Sequence, residues 1–599
     1  MDFGLVTIHF RRPEAIQELL AQSAHWDCPP AHTIVVDNSA GSVGLDGRGL
    51  AGCEIVPAPD NPGYAAAANI GIARLRELGV RYALVMTQEA RLSAEGSRLL
   101  GAALANDPQA AVAAPILEYV SAPGVVFSAG GDLLADAQTR HRAQGEPRAT
   151  LADPGAPYGV DWADGAVLLL DLDATARVGD FDTAYFLYVE EIDLQLALRT
   201  LGYRVLLVPQ AIGWQEPGRY PTYLRFRNSR YLTDKFTGVL RPYPWRRVIL
   251  RDAAKRVIGR GARWDLAAAL QGVDAARCGR MGNPDAPPER VTILCEFTPE
   301  ELHTGVAGRL RHAQAMYPDA QVRWVHDGPR SEVSLRNRLR AARTFEAPDD
   351  AGELIVLALG SPPMMQLARR LHRQGRTVRL DLSDSVLLQW RARLAAADPK
   401  LLAVGAWMIA LHATSPMLPA AYISQRDNRA DGVLNRLRPV EIIPASAPAT
   451  VANLPAFRWP AQRVVCGGDF ASFHNAAGLD LLCAAVRTAP VGIPVELFGP
   501  SAPARPLPDQ VVYRGWAAST DQLLAGNSVA FISNRGGSGV PNKLCEAIAA
   551  GRPVIVHEEL RDVVSQLAPA GAADVYWYDD LESLRTALVA VTERTAVAA

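Results

Sequence analysis

The chain is predicted to be an α/β protein with more than one sheet-and-helix unit, on three observations. Short apolar runs such as LVTIHF, TIVVDNS and YALVMTQEA alternate with helix-length segments from the start of the sequence, the pattern of strand, helix, strand units. That pattern stops in the Gly-, Pro- and Asp-rich stretch GRMGNPDAPPER at 279–290 and restarts with RVTILCEF, as it does at a domain boundary. The 599 residues leave room for about three or four domain-sized units.

Composition narrows the class. With 49% hydrophobic and 21% charged residues the chain reads as soluble and globular. A formal charge of -2 lacks the basic excess of a nucleic-acid-binding protein, so no nucleic-acid partner is expected. The opening MDFGLVTIHFRRP reads as a strand and turn rather than a signal peptide. The longest apolar run, 401–411, is far shorter than the roughly 18 to 20 residues that span a bilayer. Seven cysteines (28, 53, 278, 295, 466, 483 and 545) form no CxxC pair and are odd in number. Reduced thiols in a cytoplasm are expected, with neither a disulfide framework nor a zinc site.

In order, a strand at LVTIHF, a helix over 13–23 and a strand at TIVVDNS begin the first sheet. Asp37 and Asn38 follow that second strand, where ligands of open α/β sheets collect; an Asp-Asn turn is the plain alternative. In DNPGYAAAANIGIARLRELG, residues 60–79, a turn at Asn61, Pro62 and Gly63 leads into an alanine-rich helix. Asn69 and Gly71 inside it are unfavourable by propensity. They point either to a ligand passing nearby or to a helix buried closely on the sheet. The strand at 82–90 presents Thr87, Gln88 and Glu89 at its end, and a further β-rich region leads to a buried strand after Asp164. The stretch 179–205, GDFDTAYFLYVEEIDLQLALRTLGYRV, places Glu190, Glu191 and Asp193 beside Phe181, Tyr185, Phe186 and Tyr188 at a helix entry. Carboxylates so placed suit a general base, and an acidic first turn favoured by the helix dipole is the alternative.

Residues 241–263 carry eight Lys or Arg against the single acid Asp252. Ile249, Ala253 and Val257 make one helical stripe, with Arg247, Arg251 and Lys255 almost opposite. Such a helix either rests on an anionic membrane surface or joins two domains in solvent. From 290 the apolar strands RVTILCEF, QVRWVHD, ELIVLALG and TVRLDLSD build a new sheet, and the chain crosses to another lobe near PVEIIPAS. There RVVCGGDF, PVELFGP, VVYRGW and SVAFISN are short strands spaced by helices. In GSGVPNKLCEAIAAGRPVIV, 537–556, a glycine-shaped loop precedes a helix starting near Asn542. A helix N-terminus of this kind binds phosphate, with Lys543 adding charge and Glu546 able to accept from ribose hydroxyls; an ordinary loop, helix and strand is the alternative.

Residues 3–282 resemble family-two glycosyltransferases of the GT-A fold, especially the rhamnosyltransferase-like branch. The resemblance is carried by VVDNS, NPGYAAAANIGI, GAVLLL, the 179–205 stretch, RFRNSRY at 225–231 and ALQGVDAARCGRMG. It implies a nucleotide pocket lined by Phe10, Arg11, Asp37 and Asn38, with Asn61, Gly63 and Asn69 near ribose and diphosphate. Asp164, Arg227 and Asn228 are further implied nucleotide-sugar contacts. Glu191 falls on the position of the family's general base in an inverting displacement, with Glu190 and Asp193 orienting the acceptor. The family's metal-holding Asp-x-Asp falls on Thr87, Gln88 and Glu89, and a family histidine falls near Gln215. The resemblance therefore implies a Mg²⁺ or Mn²⁺ ion held by Glu89 as the remaining carboxylate. The alternatives are neutralisation of the diphosphate by Arg225, Arg227 or Asn228, or a module without activity.

Residues 290–585 resemble family-four glycosyltransferases of the GT-B fold, with its two Rossmann-like lobes, through the Gly467-Gly468 turn, WAASTDQLLAGNSVAFIS and GVPNKLCEAIAAGRPVI. This implies nucleotide-sugar binding at Gly467, Gly468, Lys543 and Glu546, retaining chemistry if the module is active, and no cofactor. Of the family's two glutamates eight positions apart, the first falls on Ser538, and the usual Arg and Lys are missing from GGDFASFHNAAG. Of the glycine loop near the start of this half, Gly305 and Gly308 remain.

The expected organisation is a GT-A domain over 1–235, a basic helical extension and linker over 236–289, and GT-B-like lobes over 290–458 and 459–599. The expected function is a two-module glycosyltransferase that uses dTDP- or UDP-sugars to extend a bacterial surface glycan on a lipid carrier. It would work in the cytoplasm, peripheral at the inner face of the membrane. Tethering two transferases raises the effective concentration of the intermediate. One alternative keeps only the N-terminal module active beside a glycan-binding or structural C-terminal half. Another is a non-catalytic scaffold, since fold does not establish activity.

Overall fold

The computed structural model describes the chain except residues 1, 40–44, 46–51, 152–154, 219, 258–264, 299–303, 327–332, 397–398, 448, 471–472, 489–490, 518, 535–538, 569–573 and 595–599. The protein is mixed α/β and divides into two compact units, Met1–Pro287 and Pro288–Ala599.

The first unit is built on one mixed sheet. Its strands are β1 (Gly4–His9), β2 (His32–Asp37), β3 (Glu54–Pro57), β4 (Tyr82–Thr87), β5 (Arg91–Leu92), β6 (Ala110–Tyr119) and β7 (Ala122–Ser128), then β10 (Tyr158–Gly159), β11 (Val167–Asp171) and β12 (Arg204–Trp214). Between these, β8 (Gly131–Leu133) and β9 (Thr139–His141) pair as a separate hairpin. The main order is β10-β12-β6-β11-β4-β1-β2-β3. β1 lies parallel between β2 and β4, and all six of its residues are buried, as for a strand covered on both faces. β11 enters antiparallel between β4 and β6, which brings the segment before it, including Asp164, back to the carboxyl end of β4.

The helices are α1 (Pro13–Ser23), α2 (Tyr64–Glu77), α3 (Gly96–Asn106), α4 (Leu172–Ala176), α5 (Glu190–Thr200), α6 (Thr222–Lys235), α7 (Trp245–Val257) and α8 (Leu266–Arg277). Pro at the first position of α1 suits a place whose N–H has no intrahelical partner. Along α2 the residues Ala65, Ala67, Ala68, Gly71, Ile72 and Leu75 are buried. A Cβ on Gly71 would collide with Val6 of β1, so its glycine serves close packing on the sheet rather than a ligand. α8 packs along α6, where the absent side chain of Gly272 admits the Tyr223 carbonyl. Tyr243, just before α7, and Trp245, Val248 and Ile249 within it pack around Phe226, Ala269 and Val273. The stripe read as a membrane face is thus partly turned inward at Ile249, while neighbouring Leu250 is exposed. The Val257 side chain lies outside the described residues.

The second unit contains two six-stranded parallel sheets. One runs β14-β13-β15-β16-β17-β18, from β13 (Val291–Cys295), β14 (Gln321–Trp324), β15 (Glu353–Leu357), β16 (Val378–Ser383), β17 (Ala420–Tyr422) and β18 (Val440–Ile442). The other runs β21-β20-β19-β22-β23-β24, from β19 (Arg463–Gly467), β20 (Val495–Phe498), β21 (Val511–Tyr513), β22 (Ser528–Phe531), β23 (Val554–His557) and β24 (Val575–Tyr578). In both, the strand order reverses beside the first strand, the switch point at which such sheets collect ligands. Among the described residues no disulfide forms, and no helix is long and apolar enough to cross a membrane.

Candidate functional site

The chain enters α5 through a strained turn. Tyr188 and Val189 have φ of 70° and 78°, a left-handed conformation that costs a β-branched residue about 1–3 kcal/mol. The Asn228 side chain of α6 holds the turn by donating from Nδ2 to the Leu187 and Tyr188 carbonyls at 2.9 and 2.8 Å. The result places Glu190 and Glu191 in the first turn of α5, both lining a cavity of about 540 Å³ with Asp164. Thr87 at the end of β4 and Gln215 just after β12 line the same cavity, with a Thr87 hydroxyl to Gln215 Oε1 hydrogen bond of 3.4 Å.

Three carboxyls share this space. Burial pushes Glu190 up to about 7, with Asp164 adding a smaller repulsion. Glu191 is raised by burial first, then by Glu190 and Asp164. Burial raises Asp164 too, offset by His141 and the Ala166 amide. The α5 dipole favours carboxylates here, but desolvation and like charge outweigh it. Glu190 Oε2 is buried with no partner. A carboxyl with a raised pKa, open to a cavity, is equipped to take a proton from a hydroxyl.

Several lining residues, His141, Gln138 and Tyr220 among them, carry no signal in the sequence, and they join Tyr188, Arg225 and Arg251, which do. His141 of β9 sits between Phe127 and Trp162, each ring 4.9 Å away, with Nδ1 buried and unpartnered. Burial lowers its pKa, so the ring is neutral near pH 7. Tyr188 and Tyr220 stack with centroids 4.4 Å apart. Arg225 pairs with Asp252 at 3.0 Å, and Arg251 donates to Gln138 at 2.7 Å. These groups come from a hairpin, a loop and two helices, so no local spacing brings them together.

Other expected site residues have structural duties instead. Asp193 is turned from the cavity, bonded to Lys235 at 2.7 Å and Tyr185 at 3.0 Å. Arg227 is fully buried, donating to the Gly282 carbonyl and Asn228 Oδ1, which removes it from the leaving group. Asn69 spends both amide atoms on the Phe181 backbone at 2.8 and 3.1 Å. Asn38 donates to the Gly63 carbonyl at 3.1 Å, and Gly63, at φ 94°, lies against Phe186 where a Cβ would collide. Asn61 accepts from Asn283 at 3.4 Å.

Phe10, Arg11 and Asp37 do meet, at the carboxyl ends of β1 and β2 but outside the cavity lining. The Phe10 amide donates to Gln88 and the Arg11 amide to Ser39, while Arg11 lies 5.0 Å over the Phe10 ring. Burial would raise Asp37, but the Ser39 amide and His9 outweigh it and lower its pKa.

Glu89 does not fit a divalent cation. Its carboxylate accepts from Gln88 at 2.9 Å and pairs with the Arg12 guanidinium at 3.3 Å. A dication there would meet one carboxylate, already neutralised, beside a fixed positive charge. Thr87 and Gln215 bring no second carboxylate.

The residues expected at the second unit's nucleotide site bond to other groups of the protein. Lys543 is half-buried and donates to the Gly467 carbonyl, Asn475 and Ser533 at 2.8–2.9 Å, and desolvation lowers its pKa to about 8. Gly468 donates its amide to Phe498 and packs beside Asn475. Glu546 accepts from Thr520 at 3.0 Å and pairs with Arg311 at 3.3 Å. The amide of Gly539, in the loop before the helix Asn542–Ala549, donates to Asp427 at 3.0 Å, and Asp384 packs where a Cβ of Gly539 would lie. Burial and then Asp427 push Asp384 up to about 7. Gly305 and Gly308 lie inside the helix Thr304–Met316 rather than in a loop, with Gly308 against Asn542. Ser538 lies outside the described residues.

No family model matches the chain, and no curated protein does. Among solved structures it is similar to GalNAc-T7 with UDP, GalNAc and Mn²⁺, at 10% identity and a TM-score of 0.32 over 39% of this chain and 48% of that one. The chain thus spans about half the length of GalNAc-T7. It is similar to residues 1–349 of TarS from S. aureus, at 13% identity and 0.31 over 46% and 81%. It is also similar to the mannosyltransferase PcManGT from Pyrobaculum calidifontis in complex with GDP-Man and Mn²⁺, at 15% and 0.29 over 46% and 73%. Likenesses this distant define neither the fold nor the activity of this chain.

Proposed function

We propose that the first unit is an inverting GT-A glycosyltransferase and that the second is a GT-B-like domain without transferase activity of its own. The observation that carries the reading is the burial of Glu190, Glu191 and Asp164 around one cavity at the entry to α5. Glu191 takes the proton of an acceptor hydroxyl as that oxygen bonds to the anomeric carbon. The bond from that carbon to the donor's phosphate oxygen breaks, and the nucleoside diphosphate leaves with its electron pair. Arg225 and Arg251, the cations lining the cavity, are placed to balance the departing charge. The aromatic walls suit a sugar ring. Phe10, Arg11 and Asp37 are the proposed nucleotide contacts.

The donor is proposed to be a dTDP- or UDP-sugar, with rhamnose suggested by the resemblance, and the acceptor a lipid-linked glycan at the inner face of a bacterial membrane. The occupied Gly539 amide and the three protein acceptors bonded to Lys543 favour a single active site over two. Mass spectrometry of acceptor products over a nucleotide-sugar panel tests this: wild type should add one sugar and E191Q none. Transfer undiminished in E191Q would overturn it.

A further inference from the structure

The helices Leu335–Thr344 and Pro362–Arg373 of the second unit carry seven arginines and no acid. Between them lies a concavity of about 360 Å³ lined by Arg343, Arg369, Arg370 and Arg373 with Gln366 and Gln374, over an apolar floor that includes Leu411. No carboxylate lines it. We propose that this concavity binds a phosphate or diphosphate group, with Arg343 and Arg369 as its ligating cations.

Arginine near a helix C-terminus commonly caps carbonyls, and for part of the cluster that is the whole explanation. Arg370 donates to the Ala342 and Phe345 carbonyls at the end of the first helix and to Gln374 Oε1. Arg338 is held by Glu296 through two bonds of 2.7 Å. Arg369 and Arg343 are different. Arg369 Nε is buried with no partner, and among the described residues neither Arg369 nor Arg343 has an acidic partner. A buried charged donor left unpaired is costly, and gathering like charge around it adds to the cost. Burial and the neighbouring Arg373 both lower the pKa of Arg369, the direction an anion would reverse.

Four guanidinium groups line the hollow with no carboxylate among them, and Gln374 Oε1 already accepts from Arg370. A cationic lining without acids selects an anion. Several guanidinium forks at different angles match the oxygens of a tetrahedral phosphorus better than the plane of one carboxylate. None of the residues given nucleotide roles above lines the concavity, and the proposal does not rest on the proposed function.

The test uses the full-length protein at fixed ionic strength, with inorganic pyrophosphate titrated by calorimetry. Sedimentation with phosphatidylglycerol vesicles, against phosphatidylcholine, is the second arm. The variants are R343Q and R343Q/R369Q, with R340Q as a control outside the lining and thermal melting to verify folding. Pyrophosphate binding weakened at least ten-fold in the double variant, with R340Q unchanged, supports a soluble phosphate ligand. Loss of vesicle binding in the double variant, with no pyrophosphate binding in wild type, assigns the phosphate to a lipid headgroup. No binding of either probe, or binding that the folded double variant retains, overturns the proposal. R343Q, whose side chain is exposed, decides the matter if the double variant fails to fold.

Discussion

Asn228 donates a 2.8 Å hydrogen bond to the carbonyl of Tyr188, a residue held at positive φ two positions before Glu190. Asn228 therefore acts on the cavity by fixing the backbone that leads into α5. N228A removes two bonds from a strained turn, and relaxation of that turn should move Glu190 and Glu191. A fall in kcat of about ten- to hundred-fold is expected, with unchanged donor KM and a lowered Tm. A variant with normal kcat would show that the turn holds its own conformation.

The raised pKa of Glu191 has consequences for both rate and stability. As a base it must be ionised, so kcat/KM should rise with pH through a limb above the ordinary carboxylate range. In stability the sign is opposite. The unfolded chain ionises Glu191 near 4.5 while the folded chain resists, so folding is penalised as pH rises above 4.5, and the penalty is absent below it. E191Q should abolish transfer and raise Tm by a few degrees, roughly 2–4 °C per kcal/mol, at pH 8 but not at pH 4. Thermal melts at the two pH values check this.

His141 presents a neutral ring held between two aromatic side chains at the cavity wall. H141A should raise the acceptor KM about ten-fold, the equivalent of one good hydrogen bond, and leave donor hydrolysis unchanged. H141Q should recover part of the loss. Equal loss in donor hydrolysis would place His141 on the donor side.

The pairing of Glu89 with Arg12 predicts that transfer persists within about two-fold in EDTA and in E89Q, given that Arg12 already balances the carboxylate. Activity abolished by EDTA and restored by Mn²⁺ would show that a cation is held elsewhere.

Lys543 is bonded to three protein acceptors. K543M should lower the melting temperature, since each stranded acceptor costs about 1–3 kcal/mol, without changing the sugars added by the first unit. Loss of a second sugar from a stably folded K543M would restore the two-transferase reading.

Much of the fold is legible in the sequence because it rests on local pattern. Apolar runs mark β1, β2, β4 and the strands of both parallel sheets, and the Ala-rich stretch marks α2. The antiparallel entry of β11 is not legible, because an apolar run fixes burial and not direction. At the site, Glu190 and Glu191 are found from a helix start, while Asp164 enters through the family resemblance. Asp193, two positions beyond Glu191, faces the other side of α5, as the helical period requires. Asn69, Arg227 and Asn228 look like ligand contacts in sequence because a buried polar side chain needs partners. The structure supplies those partners from the distant backbone of Phe181, Gly282 and Leu187. His141 and Arg251 reach the cavity only through tertiary packing.

The bond from the Gly539 amide to Asp427, with Asp384 packed against the same glycine, ties the loop before the Asn542 helix to the other parallel sheet's side of the second unit. An anion approaching that amide meets an occupied donor and two acidic side chains, so it would have to break a protein bond and approach like charge before it gained one.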